Sequence, residues 1–272
     1  MQETIIQAGR GEKNYWHDIW SYRELLYFLA WRDILVRYKQ TAIGVAWSVV
    51  RPLLTMAVFV FVFGRVAKLP SDNVPYPITV FVALLPWQFF SNAITEAANS
   101  VIASANMLTK IYFPRLIIPA STVAVAVIDF LISLVILAIL MVWYKFVPDV
   151  RLLLLPVFFL LALCTSLGVG IWLAALTIKY RDFRYIVPFI VQLGLYVSPV
   201  GFASSVIPEK WRLIYSLNPM VGVIDGFRWC VTGGSSVLYT PGLLLSVGLS
   251  IILLLTGIWY FRRIERSFAD II

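Results

Sequence analysis

Histidine occurs once, as His17, and cysteine twice, as Cys164 and Cys230, in a chain of 272 residues. That scarcity removes His-based metal sites and reduces any Ser-His-Asp triad to a single surface candidate near the N-terminus. The cysteines are far apart and Cys164 lies inside an apolar run, so each reads as a buried thiol rather than half of a disulfide. Charge is equally thin, 13% against about a quarter in soluble domains. The 14 acidic residues are scattered, which argues against the loop clusters of a membrane-embedded lipid-sugar transferase. No G-x-x-x-x-G-K-S/T is present, so this chain has no P-loop for ATP. Residues before Thr41 are too polar for a secretory signal peptide, and no small-x-small cleavage site follows them.

What fills the chain is apolar. Hydrophobic residues make up 61% and the mean hydropathy is +0.87, which places it among polytopic membrane proteins. A bilayer core needs about 20 apolar residues per helix. Six segments qualify: Thr41–Phe63, Pro77–Ala97, Leu116–Trp143, Leu152–Ile178, Ile186–Val206 and Leu243–Phe261. The second and fifth are interrupted by Pro86 and Pro199. The expected fold is all-α, with six transmembrane helices in residues 41–272 behind a cytoplasmic N-terminus and interface helix in residues 1–40. Despite a net charge of +8, no basic stripe suggests nucleic acid; Lys and Arg gather at span ends. With the N-terminus inside, 14 basic residues fall inside and 7 outside, with Arg51 within a span, so both termini are expected in the cytoplasm.

Ahead of the first span, Tyr22 to Lys39 reads as a helix on the membrane surface. Tyr27, Trp31, Ile34, Leu35 and Tyr38 share one arc at helical spacing. Arg51 would cost about 3 kcal/mol at a helix centre, which the apolar residues of its span can offset. Asp129 lies similarly deep in the third span. Either both face a polar pathway, alone or paired, or Arg51 snorkels and Asp129 bonds between helices.

The segment Asn106 to Arg115 is too apolar and aromatic for a solvated turn, and Pro114 ends any short helix there. Met107, Leu108, Lys110, Tyr112, Phe113 and Arg115 form either a rigid knob for a cytoplasmic partner or a helix end resting on lipid headgroups. Between spans five and six, Pro208, Glu209, Lys210, Trp211 and Arg212 open a helix in the Pro-first manner. After Asn218 and Pro219 comes a second short apolar stretch holding Arg228. Neither half can span, so residues 208–240 are expected to dip back into the outer leaflet as re-entrant helices. Aromatics are 15% of the chain, most of them interfacial anchors. Trp87, Phe89, Phe90 and Tyr196 flank the two span-breaking prolines and are the choice for a conduit on which sugar rings slide. Trp47, Arg51 and Asp129 complete the candidate channel set.

Taken together these stretches resemble the membrane subunit of type-two ATP-binding-cassette exporters, the polysaccharide and polyol-phosphate export permeases. The matching residues are Gly44-Val45-Ala46-Trp47 with Arg51-Pro52-Leu53, Leu85-Pro86-Trp87-Gln88-Phe89-Phe90, and Asn106 to Pro114. They continue with Tyr180-Arg181-Asp182, Tyr196-Val197-Ser198-Pro199-Val200, Asn218-Pro219-Met220 and the tail Glu265-Arg266-Ser267-Phe268-Ala269-Asp270. Each is weak alone, but they follow one another in family order along nearly the whole chain.

The resemblance implies a homodimer of this permease with two copies of an ABC ATPase, which binds ATP and Mg while this chain binds no cofactor. It implies that Tyr22–Lys39, including Tyr27 and Trp31, and Met107–Arg115 contact that ATPase. It further implies a lipid-linked glycan substrate of O-antigen, capsule or teichoic-acid type and a place in the bacterial inner membrane. The alternatives are an ABC exporter of small molecules or drugs and an ion-coupled secondary transporter. The latter predicts internal repeats and charge relays, and neither is evident here. Alkaline phosphatase, active only outside the cytoplasm, should be active when fused after Lys145 and inactive when fused after Lys110 or Arg181. The reverse pattern would invert the topology.

Overall fold

The computed structural model describes residues 15–39, 44–68, 74–108, 110–233 and 238–265. Thr41, Thr109, the basic residues Arg10, Lys13 and Arg266, the tail Arg266 to Asp270, and residues 234–237 of the outer segment lie outside them. Among the described residues every regular element is helical. In order they are α1 (Tyr15–Ser21), α2 (Arg23–Lys39), α3 (Gly44–Phe59), α4 (Tyr76–Ala103), α5 (Ala105–Leu108), α6 (Ile117–Trp143), α7 (Leu155–Lys179), α8 (Phe183–Val197), α9 (Glu209–Tyr215), α10 (Pro219–Val231) and α11 (Thr240–Glu265). A wider π-helical stretch, Val60–Val66, prolongs α3, and a 3-10 turn, Val150–Leu154, leads into α7.

Five helical segments are long and apolar enough to cross a bilayer: Ala46–Val66, Tyr76–Ala103, Ile117–Trp143, Val150–Lys179 and Thr240–Glu265. The chain is a multi-pass membrane protein. The expected fifth span, Ile186–Val206, is instead the 15-residue α8, which stops at Val197. Ser198 takes an extended conformation because the ring of Pro199 excludes the helical one from the residue before it. The second span differs in the opposite sense, since Pro86 sits inside an unbroken helix of 28 residues. Its hydropathy is weak because α4 is the buried axis of the bundle, packed on both α6 and α7, and needs little greasy surface for lipid.

Two cores result. The larger gathers α4, α6, α7 and α10 around Phe81, Phe89, Phe130, Phe158 and Phe227. The smaller, at the end carrying α1, α2 and the last turn of α11, is built on Leu29, Val101, Phe113, Ile117, Ile171, Ile178 and Phe261. Both cysteines are free thiols, Cys230 buried and Cys164 half-buried.

The helix predicted over Tyr22–Lys39 is α2, with the short α1 ahead of it across a turn at Tyr22, and its apolar residues are divided. Tyr27, Trp31 and Leu35 of the predicted arc are exposed and Ile34 and Tyr38 half-buried, while Leu29 and Ala30, outside that arc, pack inward.

Helices α7 and α11 approach through glycine. A Cβ on Gly168 would fall 2.6 Å from the Leu254 amide nitrogen, and one on Gly257 would fall 2.6 Å from the Gly168 carbonyl oxygen. With backbone on both sides, nothing can rotate away. The hydroxyls of Thr165 and Ser250 meet at 2.7 Å on the same seam. Small residues allow such contact, and within lipid close van der Waals packing and hydrogen bonds must hold helices together. Gly168→Ala should therefore destabilise the protein by about 1–3 kcal/mol. Gly248→Ala, which meets no atom within 4 Å, should leave the melting temperature in lipid–detergent micelles unchanged.

Candidate transport surfaces

Asp129 stands twelve residues into α6 and is buried. Its partners come from α2 rather than from Arg51. The Tyr38 hydroxyl donates to Oδ1, and the Arg37 guanidinium lies 3.0 Å from Oδ2 as an ion pair. Glu96 of α4 sits 3.9 Å from the other arm of Arg37. Asp129 is the buried member and Arg37 is partly exposed, so losing the α2 partners leaves a buried carboxylate uncompensated, and this contact pins the end of α2 to the bundle. Beside it a groove of about 390 Å³ opens between α2, α4 and α6, lined by Asp33, Val36, Arg37, Glu96, Thr122 and Val125. Arg51 itself is exposed on the outer face of α3.

The segment from α5 to Arg115 is divided by burial. Met107 and Leu108 pack partly against the smaller core, whereas Lys110, Ile111 and Tyr112 project outward. Tyr112 is 61% exposed, but the next residue, Phe113, is only 3% exposed among Leu116, Ile117 and Phe261. Phe113 is therefore an anchor beneath the knob rather than part of its contact surface. Arg115 fastens the other side. Its backbone N–H donates to Oε1 of Glu265 at 2.9 Å, and its guanidinium donates to the Glu265 carbonyl at 2.7 Å. The Tyr15 hydroxyl donates to Oε2 of the same carboxylate at 3.1 Å, and Arg262 lies 4.5 Å over the Tyr15 ring. Burial first, and the nearby carboxylate second, push the Tyr15 phenol well above the ordinary tyrosine range, so it stays a donor.

The channel candidates separate into two groups. Phe89 is 2% exposed and packs with Phe130, Phe159 and, through Phe130, Phe227. Trp87 is also buried, its ring covering Gly194 of α8 so closely that a Cβ there would lie 2.6 Å from it. These two are packing residues, and Phe90 is half-buried beside Trp87. Trp47, Arg51 and Tyr196, by contrast, are exposed on α3 and α8. The Tyr196 ring stacks on Phe59, and both helices pack on α4, leaving their other faces uncovered.

At the far end, Val197 to Ala203 is the irregular backbone that joins α8 to the short helices. Three side chains satisfy its carbonyls and a fourth braces it through a side-chain hydroxyl. Tyr215 donates to the Val197 carbonyl at 2.7 Å, Tyr76 to that of Gly201 at 2.7 Å, and Asn218 to the Ser198 hydroxyl at 2.9 Å. Arg228, 3% exposed, donates to the carbonyls of Phe202 at 2.6 Å and Val200 at 2.8 Å. Asn218 also caps α10 by accepting from the Met220 amide, with Pro219 opening the helix. Pro208 precedes α9, and Trp211 is exposed on it. Counting Arg228 among outward charges missed this role. A lone Arg inside the apolar run Met220–Val231, three residues after Asp225, is the signal that finds it.

The arrangement contains pinned N-terminal helices, a protruding aromatic tip and two open faces, and the sequence carries no nucleotide-binding P-loop motif. A profile for the ABC-2 type transporter matches residues 24–231, from the start of α2 to the end of α10. The chain belongs to the ABC-2 type transporter family. Among proteins similar to this ABC-2 membrane subunit is an O-antigen export system permease, RfbA, of Klebsiella pneumoniae, 30% identical over 92% of this chain and 95% of its own length. RfbA of Myxococcus xanthus is 31% identical over 78% and 81%. The capsule polysaccharide export inner-membrane protein CtrC of Neisseria meningitidis serogroup A is 25% identical over 88% and 90%. In this ABC-2 subunit, Arg228→Met should strip two buried carbonyls of their donor and cost about 3 kcal/mol or more, since each bond to a charged group is worth about 1.5–3 kcal/mol. A melting temperature equal to the parent's would contradict the assigned role.

Proposed function

We propose that this chain is the membrane half of an ATP-driven exporter that moves lipid-linked polysaccharide of O-antigen, capsule or teichoic-acid type out of the cytoplasm. The observation that carries the reading is similarity along almost the whole chain to permeases named for exporting O-antigen. A partner ATPase binds ATP and Mg and hydrolyses the nucleotide; this chain receives the motion. In this reading both termini are cytoplasmic, α1 and α2 lie along the inner face, and α9 and α10 are re-entrant at the outer face.

Physical features favour that assignment. The uncovered faces of α3 and α8 carry Trp47, Arg51, Leu54, Val58, Phe61, Phe189, Leu193 and Tyr196, mixing aromatics with a charge that lipid would tolerate poorly. A second copy facing these surfaces completes a passage whose aromatic rings stack on sugars without a deep well. The exposed Ile111 and Tyr112 tip, with Tyr27 and Trp31 on the open side of α2, offers the ATPase an apolar contact on a rigid base. Nucleotide-driven closure of the ATPase then biases the membrane domain between two packed states.

Deleting the chain in its host should abolish surface glycan and leave lipid-linked polymer inside the cell. An intact surface glycan, with efflux of small molecules lost instead, would favour the small-molecule alternative. Tyr112→Asp, which places a charge on an exposed tip, should lower export about tenfold with insertion and yield unchanged, a loss within the range of ordinary coupling energies. Phe113→Asp should instead fail to accumulate, because it buries a carboxylate in the smaller core.

A further inference from the structure

Glu265 is the residue on which three distant parts of the chain converge. It closes α11, its partner Tyr15 is 250 positions away in α1, and its partner Arg115 is 150 positions away behind the knob. The pairing with Arg115 is reciprocal: main chain to side chain in one direction, side chain to main chain in the other. That geometry fixes both position and orientation, whereas a single side-chain pair on a surface restrains little. It also satisfies one of the carbonyls that a helix C-terminus leaves without a partner. Only two residues separate Arg115 from Tyr112, and the intervening Phe113 is packed against Phe261 of α11 in the same core. The exposed tip is thus held to α11 by a polar clamp on one side and an apolar anchor on the other.

Helix α11 then runs to the opposite end. Its 26 residues cover about 39 Å. There it touches the short helices through contacts without slack: a Cβ on Gly222 of α10 would lie 2.5 Å from the Ser246 hydroxyl, and one on Gly242 would lie 2.4 Å from that of Ser216. We infer that Glu265 is a positioning residue that locks the Ile111–Tyr112 tip to α11, making the last span the rod by which displacement of the tip reaches α9 and α10. The coupling role rests on the ATPase-driven reading above; the locking does not.

The two parts are tested separately in the full-length protein. Spin labels on Ile111→Cys and Leu255→Cys, in a chain carrying Cys164→Ser and Cys230→Ala, report the distance between tip and rod in lipid nanodiscs by electron paramagnetic resonance. A narrow distribution that broadens markedly in Glu265→Ala and is largely restored in Glu265→Gln, which keeps an acceptor for the Arg115 amide, supports the lock. A Glu265→Ala distribution as narrow as the parent's overturns it. Should Glu265→Ala not insert, Arg115→Met removes the guanidinium arm alone and is expected to broaden the distribution to a lesser degree; no broadening would again overturn the lock. For the rod, Glu265→Ala is expected to lower surface glycan per unit of ATP hydrolysed about tenfold, within the usual span of coupling energies. Broadened distances with unchanged glycan per ATP would overturn the rod and leave the lock standing. If deleting the whole chain leaves surface glycan intact, the export reading fails, and the spin-label distances still judge the lock.

Discussion

Hydrocarbon cannot hydrogen-bond, so wherever a bundle of helices breaks its backbone regularity the protein must itself supply the missing partners. The stretch from Val197 to Ala203 is such a place. Pro199 ends α8 there, and the carbonyls of Val197, Val200, Gly201 and Phe202 are taken by Tyr215, Arg228 and Tyr76. Those donors come from α9, α10 and α4, so the short helices are held where they are by the break they repair. Arg228 carries the largest share. Its buried charge is compensated in part by the two carbonyls that face it.

The same rule operates in reverse at the other end. Asp129 is a charge placed where a span would prefer leucine, and Arg37 and Tyr38 answer it from α2, which is not one of the five long apolar helices. The consequence is mechanical. Helix α2, on which Tyr27, Trp31 and Leu35 are exposed, is tied to α6 by a contact to the buried Asp129. Below it Glu265 ties α1 and the Arg115 segment to α11. The N-terminal helices and the Arg115 segment are thereby fixed to particular spans.

Much of this was legible in the residues. The multi-pass helical character followed from composition, four of the five long spans sit within a few residues of their expected limits, and the family resemblance rested on motifs spread along the chain. The fifth expected span was not legible, because an apolar run continues past Val197 although the helix does not; hydropathy registers the residues and overlooks the pre-proline constraint. Pro86 misled in the other direction, since a proline in a buried helix can be accommodated by its neighbours. Aromatic side chains near prolines looked alike in the sequence. Phe89 and Trp87 of the central α4 went to packing, while Tyr196 of the peripheral α8 stayed exposed.

By itself the sequence determined that the chain lives in lipid, roughly where it crosses, that it has no nucleotide loop, and which family it belongs to. The first three follow from local composition and short-range order, and the family from the resemblance of short motifs along the chain; none needs neighbours in space. The tertiary structure alone decided that Asp129 answers Arg37 and Tyr38 instead of Arg51, that Phe113 is an anchor beneath an exposed Tyr112, that Arg228 mends a broken backbone, and that Glu265 joins three segments up to 250 positions apart. Each depends on partners far along the chain, and in a low-dielectric interior the energy of a charge is set by what stands within a few ångströms of it, which no reading of one residue's own surroundings in the sequence contains.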